Sequence, residues 1–315
     1  MLLCVLGSVH EAHAQSGGDG SSASGAYTEI PLTYTDGELP VVPITVGTQD
    51  TLQFVLDTAA YGTTVAPWVR DRLGLPESAT ATDTARGAGG QERVYRTLRL
   101  EELQVGGQAV PPLDATIIDL SRLEQSEVRY AGILGNTVLN AFDVVIDLPN
   151  RQLRLYPIDE DGVSPVAGLD AMQRVPFEDV YGGAGGFVKF RLSIGGDEAD
   201  ALLDTGANKS IFNPQAAALA GWSEADAEPD EGRAEALNST LSADIFSYTV
   251  DSVRVGSARF PPSDIRVVDL PVFQSLGMTG PAVILGNDLI ADRRLIIAYS
   301  TGDLYLSEPV PATGP

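Results

Sequence analysis

The chain of 315 residues contains one cysteine, Cys4, and two histidines, His10 and His13, all close to its start. A lone cysteine forms no disulfide within its own chain. From Ala26 onward neither residue type occurs, which removes Cys/His and Ser/His/Asp nucleophilic catalysis and every zinc site built on His or Cys. Lysine is almost as scarce, with Lys189 and Lys209 alone, and the formal charge is −23. Nucleic-acid binding needs clustered Lys and Arg to displace counterions, so this balance excludes a nucleic-acid partner. No apolar run beyond the first residues approaches the roughly 18 needed to cross a bilayer, so no transmembrane span is expected in the mature chain. Carboxylates, hydroxyls or the two lysines are left to carry any hydrolytic chemistry, and no metal or cofactor is expected.

The start, MLLCVLGSVHEAHAQ, joins a short apolar stretch to Ala12-His13-Ala14, the small-x-small pattern that precedes signal-peptide cleavage. It lacks a positively charged beginning, so the expected leader has its true start upstream. Gly, Ser and Ala dominate from Gly17 to Gly25, as in a flexible tether. The expectation is a periplasmic or secreted protein with residues 1–25 as leader and linker. Bulky Leu3 argues against a lipid on Cys4.

Beyond the tether the chain is written twice. FVLDTAAYGTTV drives an apolar run into Asp57, and ALLDTGANKSIF repeats the arrangement around Asp204. Pro67 and Pro214 follow the two aspartates at equal spacing, and so do Gly74 and Gly221. Proline suits the first position of a helix and glycine the left-handed residue after its end, so each aspartate loop leads into a short helix. Upstream, VVPITVG and VKFRLSIG alternate like strands. Downstream, AGILGNTVL answers AVILGNDLI, and each half closes on two strands around the turns LPNR and STGD. An acidic stretch rich in breakers, residues 158–172, separates the copies. The expected organisation is a first lobe at 26–157, a second at 173–310 and a tail at 311–315.

A two-fold relation between the lobes would bring the equivalent loops face to face. Two carboxylates that close cannot both ionise easily; they share a proton, one serving as acid and the other as base. Asp57-Thr58-Ala59-Ala60 and Asp204-Thr205-Gly206-Ala207, each paired with an Ile-Leu-Gly strand, resemble the two-lobed aspartic proteases of the pepsin and retropepsin type. The alanine after each tripeptide resembles the retroviral and bacterial branch. The resemblance implies a mostly β, bilobal fold of two duplicated barrel-like lobes, each with a short helix. It also implies an endopeptidase in which Asp57 and Asp204 activate a water. Thr58 and Thr205 would bond across the lobes, with Ala59 and Gly206 completing the loops and Gly135 and Gly286 lying beneath them.

The same resemblance implies a hairpin flap, for which Gly87, Ala88, Gly89 and Gly90 in ARGAGGQERVY are the candidate tip. EALNSTLSADIFSY is a weaker second-lobe candidate. The implied substrate is a peptide or protein in extended conformation, and since both halves of the site are on one chain a monomer suffices. Ala59 departs from the usual glycine; its methyl is expected to crowd the substrate path and to resist positive φ. That residue supports an alternative, a catalytically impaired peptide-binding relative. Bulky Tyr61 and charged Lys209 follow the motifs, Lys209 being expected to face solvent. A Ser/Lys pair of Lys209 and Ser210 has the wrong geometry for hydrolysis on one segment.

Overall fold

Two strands, Asp50–Leu56 and Asp197–Leu203, set the architecture. Each lies between an antiparallel neighbour, Pro40–Val46 or Val188–Ile194, and a parallel one, Gly132–Leu134 or Ala282–Leu285. Phe54, Val55 and Leu56, like Ala201, Leu202 and Leu203, are fully buried. A central strand covered on both faces reads as a continuous apolar run, which is why each run reaches its aspartate without alternating. The structure, a computed structural model, describes residues 5–7, 27–47, 50–75, 80–87, 92–123, 128–158, 166–179, 186–226, 235–236, 239–240 and 244–311.

The two halves repeat one topology. After the aspartate loop, Thr64–Val65 or Ile211–Phe212 runs antiparallel to the Ile-Leu-Gly strand and parallel to Leu113–Ile117 or Ser263–Val267. The next elements are the short helices Pro67–Arg72 and Pro214–Leu219, each with proline in its first turn. Gly74 and Gly221 follow with φ of 63° and 91°, the left-handed conformation that ends a helix. The strands gather into two large sheets, one apolar core runs through both halves, and the protein is mostly β with two duplicated lobes.

A third layer joins the lobes. The closing hairpins, Phe142–Asp147 with Gln152–Pro157 and Arg294–Ala298 with Asp303–Leu306, meet edge to edge, Val145 opposite Ile296. Thr28–Pro31 and Gln173–Asp179 extend this antiparallel sheet at its two sides. The pairs Val144–Ile297 and Ile146–Leu295 flank Val145–Ile296 symmetrically, so a pseudo-two-fold axis passes through that central pair. Arg294 reaches buried Asp147 at one end of the seam, Nε at 2.7 Å and Nη2 at 2.6 Å. At the other end the Ser300 hydroxyl donates to Asp143 at 2.7 Å.

Of the leader, Val5–Gly7 is described as a strand antiparallel to Ala85–Gly87. Among the described residues no helix is long and apolar enough to cross a membrane.

Candidate active site

Each aspartate sits one residue past the end of its central strand, still held in the sheet. Asp57 N–H donates to Leu134 O at 3.1 Å, and Asp204 N–H to Leu285 O at 3.0 Å. Both chains then turn sharply, and Ala60 O and Ala207 O accept from Asn136 N–H and Asn287 N–H, each at 2.8 Å. The Asn136 and Asn287 amides also donate to Thr58 O at 2.9 Å and Thr205 O at 2.8 Å. Every loop is thereby clamped to the helix that follows its own Ile-Leu-Gly strand.

Gly135 and Gly286 stand at the start of those helices, directly under the loops. A Cβ at Gly135 would lie 2.5 Å from Gly62 O and 2.7 Å from Ala60 O; at Gly286 it would lie 2.9 Å from Ala207 O. Backbone oxygens in a clamped turn cannot give way, so only glycine fits at this distance.

The threonines tie the lobes together. Thr58 N–H donates to Thr205 Oγ1 and Thr205 N–H to Thr58 Oγ1, both at 3.1 Å. In turn Thr58 Oγ1 donates to Leu203 O at 2.9 Å and Thr205 Oγ1 to Leu56 O at 2.8 Å. All four are buried bonds between the lobes, and they hold Asp57 and Asp204 side by side. Both carboxyl groups are wholly buried, within hydrogen-bonding reach of each other. Ala59 N–H donates to Asp57 Oδ1 at 2.8 Å. Asp57 Oδ2 and both Asp204 carboxyl oxygens receive no hydrogen bond from a described protein donor.

Burial raises the Asp57 carboxyl to about 6. Burial and then the neighbouring Asp57 charge push Asp204 higher, well above the ordinary carboxylate range. Two buried carboxyl groups coupled in this way titrate as a pair rather than one by one. A shared proton also serves the carboxyl oxygens that protein donors leave unsatisfied. The family model described as aspartyl protease matches residues 42–138 and 190–289, one stretch in each half. The chain belongs to the aspartyl protease family. A search of curated proteins gives no match.

Ala59 stands where the resemblance leads one to expect glycine, and the positive φ that would strain an alanine there is absent. Among the described residues only Glu38 and Arg151 combine a side chain with positive φ, so Ala59 adopts an ordinary backbone conformation. Its methyl is buried in an apolar cluster with Phe187, Ala207 and Leu270, with Tyr61 packed alongside. The equivalent Gly206 differs: a Cβ there would stand 2.5 Å from Asp57 Cγ.

Gly87 ends Thr80–Gly87, which pairs antiparallel with Glu92–Leu100 as a hairpin. Ala88, Gly89 and Gly90 lie outside the described residues. In the second lobe Glu235–Ala236 pairs with Ser239–Thr240. Lys209 is substantially exposed, its Nζ 3.9 Å from Asp288. The Ser210 hydroxyl donates to Asp288 at 2.6 Å and accepts from Gly286 N–H at 2.9 Å, so it braces the loop. Asn136, Asn287 and Tyr299, whose hydroxyl donates to Asn136 Oδ1 at 2.8 Å, went unmarked in the sequence. The asparagines could have been found, since both follow Ile-Leu-Gly.

Proposed function

We propose that the protein is an aspartic endopeptidase acting on extended peptide segments. The observation that carries this reading is a pair of buried aspartates, both held above the ordinary carboxylate range and locked side by side by reciprocal threonine bonds from two lobes. Ionised Asp57 takes a proton from water as the water oxygen attacks the scissile carbonyl carbon, and protonated Asp204 gives its proton to the carbonyl oxygen. The tetrahedral diol collapses with proton transfer to the amide nitrogen; the C–N bond breaks and the pair returns to its starting state. Catalysis of this kind depends on placement, which the clamps on both loops supply.

The substrate lies as an added strand beside the first-lobe hairpin. Lobes at 26–157 and 173–310 supply one aspartate each, so one copy is sufficient. The signal-like start supports export to the periplasm or beyond. The alternative of a silent peptide binder rests on Ala59, and its sequestered methyl and its intact N–H bond to Asp57 favour turnover.

The test is incubation of the protein and its Asp57→Asn variant with unfolded protein substrates across pH, with products read by mass spectrometry. Cutting by the wild type and loss of cutting in a folded variant support the reading. Equal cutting by both, or peptide affinity without hydrolysis in the wild type, overturns it.

A further inference from the structure

The two aspartate loops are clamped alike but anchored differently. Asn136 and Asn287 each donate an amide N–H to the carbonyl of the threonine beside the aspartate, Thr58 O and Thr205 O. Their other ends diverge. Asn136 Oδ1 accepts from the Tyr299 hydroxyl at 2.8 Å, whereas Asn287 Oδ1 is buried with no hydrogen-bond partner among the described residues. The duplication supplies the reason: Leu148 follows Gly135 at the spacing at which Tyr299 follows Gly286, and a leucine side chain has no donor to offer.

The turn that carries Tyr299 belongs to the second lobe, yet it is fastened to the first. Ser300 gives its N–H to Asp143 Oδ1 at 2.9 Å and its hydroxyl to Asp143 Oδ2 at 2.7 Å, and Asp143 is wholly buried. The Tyr299 ring meets Phe177 edge-on, centroids 5.9 Å apart. The hydroxyl is therefore presented to Asn136 from a held base. A side-chain amide bonded at both ends is fixed in place, while one bonded through its N–H alone retains freedom to tilt. What Asn136 fixes is Thr58 O, and Thr58 lies between Asp57 and Ala59, whose N–H donates to Asp57 Oδ1 at 2.8 Å. Any displacement of that carbonyl moves the carboxyl and its donor together.

We infer that Tyr299 is a positioning residue for Asp57: through Asn136 it fixes the Asp57 loop from the opposite lobe, while the Asp204 loop, lacking the equivalent bond, keeps more freedom to move. The kinetic consequence of this bond rests on the peptidase reading; its effect on the carboxyl pair does not. Tyr299 touches no reacting atom, and its hydroxyl acts only by holding the amide that holds the loop.

The test compares, in the full chain, Tyr299→Phe with Phe177→Leu, which disturbs the packing of the ring but keeps the hydroxyl. On a peptide that the wild type cuts, Tyr299→Phe should lower kcat about tenfold with KM nearly unchanged, a smaller loss than the roughly hundredfold that a displacement of about 1 Å costs. Phe177→Leu should keep kcat. Without substrate, aspartate isotope-labelled at the carboxyl carbon is titrated by NMR, the pair being assigned with Asp57→Asn and Asp204→Asn. In Tyr299→Phe the pair should titrate closer to the ordinary carboxylate range, because a loosened loop lets the two groups separate and admits water; in Phe177→Leu it should not. An unchanged kcat in Tyr299→Phe, an equal loss in both variants, or a pair titration equal in wild type and Tyr299→Phe overturns the inference. If the wild type cuts no peptide, the peptidase reading falls and the titration alone decides for or against Tyr299.

Discussion

Thr58 and Thr205 each accept the other's backbone N–H at 3.1 Å and each donate to a strand carbonyl of the opposite lobe. The hydroxyls are therefore structural crosspieces, and no solvent competes for them because both residues are buried. Thr58→Val keeps the shape but strands Thr205 N–H and Leu203 O without partners. It should lower stability by about 2–4 kcal/mol, the cost of two unmet buried groups. Thr58→Ser retains both bonds and should lose only about 1 kcal/mol, for one buried methyl. Urea unfolding of the two variants checks the order; a Val variant as stable as the Ser variant contradicts the crosspiece.

The aspartate pair couples stability to pH with a definite sign. A carboxyl whose native value is raised above its unfolded value holds extra protons in the native state. Its stabilising contribution is complete below about 4 and fades as pH rises through about 6. For Asp57 the shift corresponds to about 3 kcal/mol lost between these limits, and Asp204, shifted in the same direction, extends the decline to higher pH. Unfolding midpoints measured from pH 4 to 8 should fall in the wild type, and Asp57→Asn with Asp204→Asn together should flatten the slope.

In the proposed mechanism catalysis follows the same ionisation, with Asp57 as base and Asp204 as acid. The pair is singly ionised once Asp57 has lost its proton at about 6 and before Asp204 loses its own. The rate should rise toward neutral pH with a half-point near 6 and decline when Asp204 ionises. A kcat/KM profile locates the acid limb, and a maximum near pH 3 would exclude this assignment of base and acid.

Ala59 and Gly206 occupy equivalent positions that are not interchangeable. Gly206→Ala places a methyl against Asp57, since the built Cβ lies 2.5 Å from Cγ. Overpacking of this kind costs about 1–3 kcal/mol, and a carboxyl displaced by about 1 Å loses on the order of a hundredfold in rate. Ala59→Gly removes a buried methyl and loosens the backbone, costing about 1–2 kcal/mol, with turnover near the wild-type value. Steady-state kinetics on a cleaved peptide distinguish the two substitutions; a large gain from Ala59→Gly would show that the alanine damps activity.

The duplicated plan was legible because its markers have local causes. Asp57 and Asp204 follow the apolar runs Phe54–Leu56 and Ala201–Leu203, Pro67 and Pro214 open helices, and Gly74 and Gly221 close them. The seam was not legible. The apolar run Val144–Ile146 marks a strand buried on both faces, but not that this strand's edge pairs with Arg294–Ala298 across the axis at Val145 and Ile296. Asn136 and Asn287 stood in plain sight, yet their hold on Thr58 O and Thr205 O exists only after the chain has turned back on itself.

The seam makes its own prediction. Asp147 is 1% exposed, and Arg294 Nε and Nη2 both reach its Oδ2 within 2.7 Å; the other carboxyl oxygen, Oδ1, accepts from Asn150 Nδ2 at 2.9 Å. Arg294→Ala leaves a buried carboxylate without its counter-charge, and breaking such a pair costs about 3–5 kcal/mol; partial exposure of Arg294 and the remaining Asn150 bond hold the loss to the lower part of that range. Arg294→Ala with Asp147→Asn removes the uncompensated charge and should recover a large part of it, because a neutral amide can keep a bond to Asn150. Since Asp147 and Arg294 lie in strands that meet across the pseudo-two-fold axis, the single variant should also loosen the aspartate loops. Hydrogen exchange at Val144 and Ile297 should accelerate in step with the fall in stability; full protection there in a destabilised variant would mean that the ion pair does not hold the lobes together.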